Sequence, residues 1–184
     1  TGGSVPVDSN AYTAGATATV LGNTGNLTRS GYVFTGWNTA ANGSGTYYAA
    51  GSTFSISANT TLYAQWSIGG VLTITPSGNL NSTGGYTGPF SPTSLQYTLT
   101  NDGNSALDWT AAKSATWVDL SSTGGTLAAG ASTTVTVSIN SAATSLNAGS
   151  HSDTITFTNT TNGFGNTTRA ASLTTAASPP QITM

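Results

Sequence analysis

Residues 31–66 read GYVFTGWNTAANGSGTYYAAGSTFSISANTTLYAQW, and this stretch decides the fold. It places Tyr32, Phe34, Trp37, Tyr47, Tyr48, Phe54, Tyr63 and Trp66 in one short segment punctuated by glycines. Aromatics that dense, in short β-prone runs separated by turn residues, predict a small sheet with an aromatic core. The strands expected within it are Tyr32–Trp37, Thr53–Ser57 and Thr61–Trp66. In the last, Leu62, Ala64 and Trp66 alternate with Tyr63 and Gln65. Asn42-Gly43-Ser44-Gly45 supplies hairpin-turn chemistry.

Upstream, Gly2, Gly3, Pro6 and Gly15 break residues 1–15 into loop, and Ala16–Leu21 predicts a strand. The wording of the aromatic segment then adds a family. GYVFTGWNTAANGSGTYY followed by AGSTFSISANTTLYAQW resembles the Listeria–Bacteroides repeat, a relative of the internalin B-repeat. The resemblance implies a small β-grasp-like extracellular module over residues 1–67, with no catalytic residues. Its signature core falls on Tyr32, Phe34, Gly36, Trp37, Leu62, Tyr63 and Trp66. In that family a further strand precedes the position matched by Thr1-Gly2-Gly3, so the module is expected to lack its first strand.

After Ser67–Gly70, residues 71–175 carry a second series of short alternating strands. They are Val71–Thr75, Leu95–Thr100, Leu107–Trp109, Trp117–Leu120, Ser132–Asn140, Thr154–Thr158 and Thr168–Thr174, with a loop expected from the first of them through Pro92. Seven such strands with turns between them predict a two-sheet sandwich, and helical periodicity is missing. SLQYTLTNDGNSALDW and the following TWVDLSSTGGTLAAGAS resemble a BACON-type immunoglobulin-like domain. The family's hallmarks fall on Tyr97, Asn101, Gly103, Trp109, Trp117, Gly125, Leu127, Gly130 and Ser132. That resemblance implies residence in a multidomain bacterial surface or secreted protein and, in some members, contact with glycans. The expected whole is all-β: a β-grasp-like module (1–67), an immunoglobulin-like β-sandwich (68–175) and a strand-forming tail (176–184).

Composition excludes several functions. Only 4% of the residues are charged, against about 25% in ordinary globular domains. Three basic residues (Arg29, Lys113, Arg169) cannot neutralise a phosphate backbone or an anionic membrane. No run approaches the roughly 18 apolar residues of a membrane span. Without cysteine and with one histidine, no zinc set can form. No cofactor is expected.

Catalysis finds little footing. His151, with Ser150, Ser152 and Asp153 beside it, is expected in an exposed loop before a strand. Neighbouring strand residues face opposite ways, so the cluster cannot make a triad by itself. Asp108 and Asp119 are the best carboxylate pair for glycoside hydrolysis. Asn101-Asp102-Gly103-Asn104 is either an Asx turn or a fragment of a calcium loop. The four tryptophans are either core residues or sugar-stacking platforms. Asn26, Asn42, Asn59, Asn81, Asn159 and Asn166 stand in Asn-x-Ser/Thr sequons, which arise readily by chance in so Asn- and Thr-rich a chain.

The tail AASPPQITM changes material: Pro179-Pro180 stiffens it, and a short β-prone run follows. The expectation is a non-enzymatic, extracellular surface unit that assembles head-to-tail with copies of itself or with neighbouring repeats. Pro180, Gln181, Ile182, Thr183 and Met184 would supply the strand that the next module needs. The alternative is a carbohydrate-binding or spacer module of an adhesin or secreted enzyme.

Overall fold

A computed structural model describes residues 2–180 and 182. The chain divides into two compact units, Thr1–Gly69 and Gly70–Met184. Both are all-β.

Unit 1 contains β1 (Ala16–Thr19), β2 (Tyr32–Asn38), β3 (Tyr47–Tyr48), β4 (Thr53–Ile56) and β5 (Tyr63–Ile68). They form two small sheets, ordered β1–β4 and β3–β2–β5, with every pairing antiparallel. β2 is bulged between Phe34 and Gly36. The extra residue reverses the side-chain alternation, so Phe34 meets both Trp37 and Trp66 edge-to-face at 5.2 and 5.7 Å. Gly36 sits at φ 152° beneath the ring of Tyr47, where a Cβ would come within 2.5–2.8 Å of it. Only glycine fits that bulge. On the far side Tyr48 lies against Phe54, 4.8 Å between centroids.

The apolar core of unit 1 is thin. Among its described residues Ala18, Val20 and Trp37 are the fully buried apolar side chains, while Phe34, Phe54, Ile56, Leu62 and Trp66 remain half-buried. Tyr32 and Tyr63, expected in the core, are instead exposed. Arg29 stacks on the Tyr32 ring at 3.8 Å, and such a cation–π contact suits a surface position.

Unit 2 is an immunoglobulin-like sandwich. One sheet holds β6 (Leu72–Thr75), β9 (Ser94–Asn101), β13 (Ser132–Ile139) and β11 (Val118–Leu120), ordered β11–β13–β9–β6. The other holds β7 (Leu80–Gly84), β8 (Phe90–Ser91), β10 (Leu107–Ala112), β12 (Gly124–Leu127), β14 (Gly149–Asn159) and β15 (Thr167–Thr175), ordered β12–β10–β14–β15–β7–β8. β15 and β7 run parallel; the remaining ladders are antiparallel.

Period-two alternation builds this core. Leu107, Trp109 and Ala111 point inward from β10, Val135 and Val137 from β13, Ile155 and Phe157 from β14. Tyr97 of one sheet meets Phe157 of the other edge-to-face at 5.6 Å. The Tyr97 hydroxyl donates to the Gly78 carbonyl at 2.9 Å, which satisfies a buried polar group. Burial pushes its pKa up. Gly125 lies under the Trp109 indole, with 3.3 Å from a would-be Cβ to Nε1.

Two expectations change here. The stretch through Pro92, read as loop, contains β7 and β8. His151, read as an exposed loop residue, is half-buried within β14. A 3-10 turn at Ser141–Ser145 is the one helical element among the described residues.

Candidate functional site

No catalytic constellation assembles from the candidate residues. His151 and Asp153 share a face of β14, but their partners differ. His151 Nε2 lies 2.9 Å from the Asn147 carbonyl oxygen. Asp153 is 6% exposed and accepts from the Ser114 hydroxyl at 2.6 Å and from the backbone N–H groups of Ser114, Ala115 and Thr154 at about 3 Å. Burial alone would raise its pKa; these donors outweigh it and hold the carboxyl below the usual aspartate range. The carboxylate is a clamp on the Ser114–Ala115 bend.

Asp108 and Asp119 stand on different sheets, in β10 and β11. Asp108 accepts from the Thr126 hydroxyl and Asp119 from the Asn140 side-chain amide. The pair needed for glycoside chemistry does not form. At Asn101 the structure shows the Asx turn, with Gly103 N–H donating to Oδ1 at 3.0 Å. The same side chain is fully buried, and its amide nitrogen reaches the carbonyls of Ser105, Leu127 and Ala128. Asn159 makes a matching hub with Gly70, Asn162 and Phe164. Its sequon is therefore sealed inside the fold, while Asn26, Asn42, Asn59, Asn81 and Asn166 lie exposed. Trp37, Trp109 and Trp117 are buried, which removes them as sugar platforms, and Trp66 is half-buried.

The feature that does stand out is a cleft of about 770 Å³ in unit 1. Its apolar walls include Ala18, Val20, Trp37, Phe54, Ile56 and Leu62, the same residues that form the thin core. The other walls come from residues 5–8 and 10–14, a segment outside any strand, and from residues 57–61. Asp8 is the one charged residue lining it. Asp8 accepts the Asn10 N–H at 2.9 Å and the Tyr12 hydroxyl at 2.7 Å, so its pKa is lowered and that of Tyr12 raised. In the sheets flanking the cleft, β5 is paired on one side by β2 and β1 on one side by β4. Their outer edges have no strand against them among the described residues.

The described part of the tail, Ala176–Pro180 and Ile182, is exposed and outside any strand, with Ile182 at 88%. Gln181, Thr183 and Met184 of the expected assembly strand lie outside the described residues. Sequence reasoning missed the cleft, because a cavity has no sequence pattern of its own. The cue available was the ratio of large aromatics to partners within 65 residues.

Solved structures resembling part of the chain include the periplasmic chaperone SfaE, with TM-score 0.39, 7% identity, and coverage of 61% of this chain and 59% of that one. WR4, an MSP family member of C. elegans, gives TM-score 0.37 and 12% identity over 58% and 98% of the two chains. Among curated proteins, a Gly-rich membrane protein of Evansella cellulosilytica is 54% identical over 43 residues, 23% of this chain and 5% of that protein. In the described residues no helix is long and apolar enough to cross a membrane. Residues 1–65 match the family model of the Listeria-Bacteroides repeat domain, which is typical of surface and extracellular repeat modules.

Proposed function

We propose that the chain is a non-enzymatic structural unit of an extracellular bacterial fibre that assembles head-to-tail. The tail of one copy, around Pro180–Met184, enters the cleft of the next copy's unit 1 and adds a strand to its open sheet edges. The cleft carries this reading: it is lined by apolar side chains together with Ser, Thr and Asn, sits between two unclosed sheets, and leaves half-buried aromatics that an added strand would cover. An isolated sheet edge beside a partly apolar gap is an unfavourable resting state for a unit this small, which buries only about 60% of its unfolded surface. Such a contact is heterologous, and one that does not close on itself gives an open filament. The same reading takes unit 1 as β-grasp-like and unit 2 as a BACON-type module of a surface protein.

Electron microscopy of the purified chain beside a variant truncated after Thr175 tests it. Filaments from the former and single particles from the latter are expected. A truncated chain that still polymerises would sink strand donation.

One observation favours a second reading, a glycan-binding module. Tyr47 and Tyr63 flank Asn38 from the two neighbouring strands, and both are exposed, at 51% and 43%. Residues directly opposite in antiparallel pairs share a face, so the two rings present one neutral aromatic surface. Retardation on a polysaccharide gel, lost in the Tyr47→Ala/Tyr63→Ala variant, would support that module.

A further inference from the structure

The cleft has one wall unlike the others. Residues 5–14 make no ladder with either sheet, yet all of them but Ser9 line the cavity. The segment is pinned at its ends: Ser4 N–H donates to Gly25 O and Gly15 N–H to Ile56 O, both at 2.8 Å. Between these pins the side chains of Asp8, Asn10 and Tyr12 bond to one another, within the segment. Val5 and Val7 stand 67% and 80% exposed beside the cleft. Two β-branched apolar side chains left in water on an unpaired segment gain by any movement that covers them.

We propose that residues 5–14 form a strap that closes over a tail strand from a second copy, with Val5 and Val7 packing onto it. The inference rests on the head-to-tail assembly proposed above and names the moving part of the acceptor. Chemistry points to the tail as occupant: Ala176–Met184 contains no charged residue, Ile182 is almost fully exposed, and Pro179-Pro180 holds the approach extended. A neutral, apolar strand suits a cleft whose sole charge, Asp8, is already occupied by Asn10 and Tyr12. The pinned ends limit the entropy that closure costs, since only the intervening residues are ordered.

Hydrogen exchange on the chain truncated after Thr175, with and without a synthetic peptide of sequence AASPPQITM, tests the strap. The amides between Val5 and Ala14 belong to no ladder; on peptide binding their exchange should slow by at least about tenfold. The double variant Val5→Ser/Val7→Ser alters exposed side chains and should fold, while binding the peptide on the order of tenfold more weakly. If the peptide binds, strap exchange is unchanged and the double variant binds equally well, the strap is wrong and strand donation stands. If the peptide does not bind and the full chain stays as single particles, strand donation fails and takes the strap with it.

Discussion

The indole N–H of Trp37 donates to the backbone carbonyl of Leu21 at 2.8 Å, joining the three-stranded sheet to the chain two residues beyond β1. Trp37 is 6% exposed, so the bond is shielded from water and the ring is the principal filler between the sheets. Trp37→Phe removes the donor, strands the Leu21 carbonyl and shrinks the wedge. A loss of about 2 kcal/mol in unit 1 is expected. Urea unfolding followed by the fluorescence of a Trp109→Phe/Trp117→Phe background should show it, and a midpoint shift under a few tenths molar would refute the role.

Asp153 gives the sandwich a pH dependence of known sign. Its folded pKa lies below the ordinary 3.8, so its contribution is complete above about pH 5 and drains away as the pH falls through the folded value. Asp153→Asn keeps the shape but loses the charge-assisted bonds to Ser114 and Ala115, at a cost of about 1–3 kcal/mol at neutral pH. The stability gap between wild type and variant should narrow as the pH falls toward 3. Thermal melts of both proteins across that range measure it, and a constant gap would show that the carboxylate charge is immaterial.

Buried asparagines hold the loops of unit 2. Asn159 is 1% exposed; its amide nitrogen serves Gly70, Asn162 and Phe164, and its oxygen accepts the Thr161 and Asn162 N–H groups. Asn159→Ala strands several buried groups at once and should cost about 3 kcal/mol. Asn81→Ala, exposed on β7 with one hydroxyl partner in Ser172, should stay within about 0.5 kcal/mol. Equal effects in guanidinium titrations would mean the burial of Asn159 has no energetic weight.

The strands legible in the sequence are those whose apolar residues alternate on their own, such as Leu95-Gln96-Tyr97-Thr98-Leu99 and Ile155-Thr156-Phe157. β7 escaped because Ser82 occupies an inward position where an apolar residue would have marked the period; its hydroxyl is buried with no protein partner among the described residues. β12 escaped because Gly124-Gly125 reads as a turn, although the missing side chain at Gly125 is what admits the Trp109 indole. The loop assigned to His151 ignored that β14 starts six residues before Ile155, the first of the apolar pair, held by pairing with β15. In the candidate site, the aromatic residues were visible in the sequence, and so was the expectation that part of their core is uncovered; the cavity itself was not, since its walls depend on how residues 5–14 and 57–61 pack.

Assembly through the cleft should be nearly indifferent to salt. The donor segment Ala176–Met184 has no charged side chain, and the acceptor lining has one carboxylate already hydrogen-bonded within its own segment. Raising ionic strength from about 0.1 M to about 1 M shortens the screening length from about 10 Å to about 3 Å, and this abolishes surface ion pairing while leaving ladder bonds and apolar contacts in place. Filament mass, measured by sedimentation across that range, should hold steady or rise slightly in sulfate, which strengthens apolar burial. Moderate urea should dissolve the filaments, because it solvates the peptide and apolar groups that make the contact. Dissociation by sodium chloride alone would instead place the contact on Arg29, Lys113 or Arg169, the chain's three basic residues, and remove the tail from the interface.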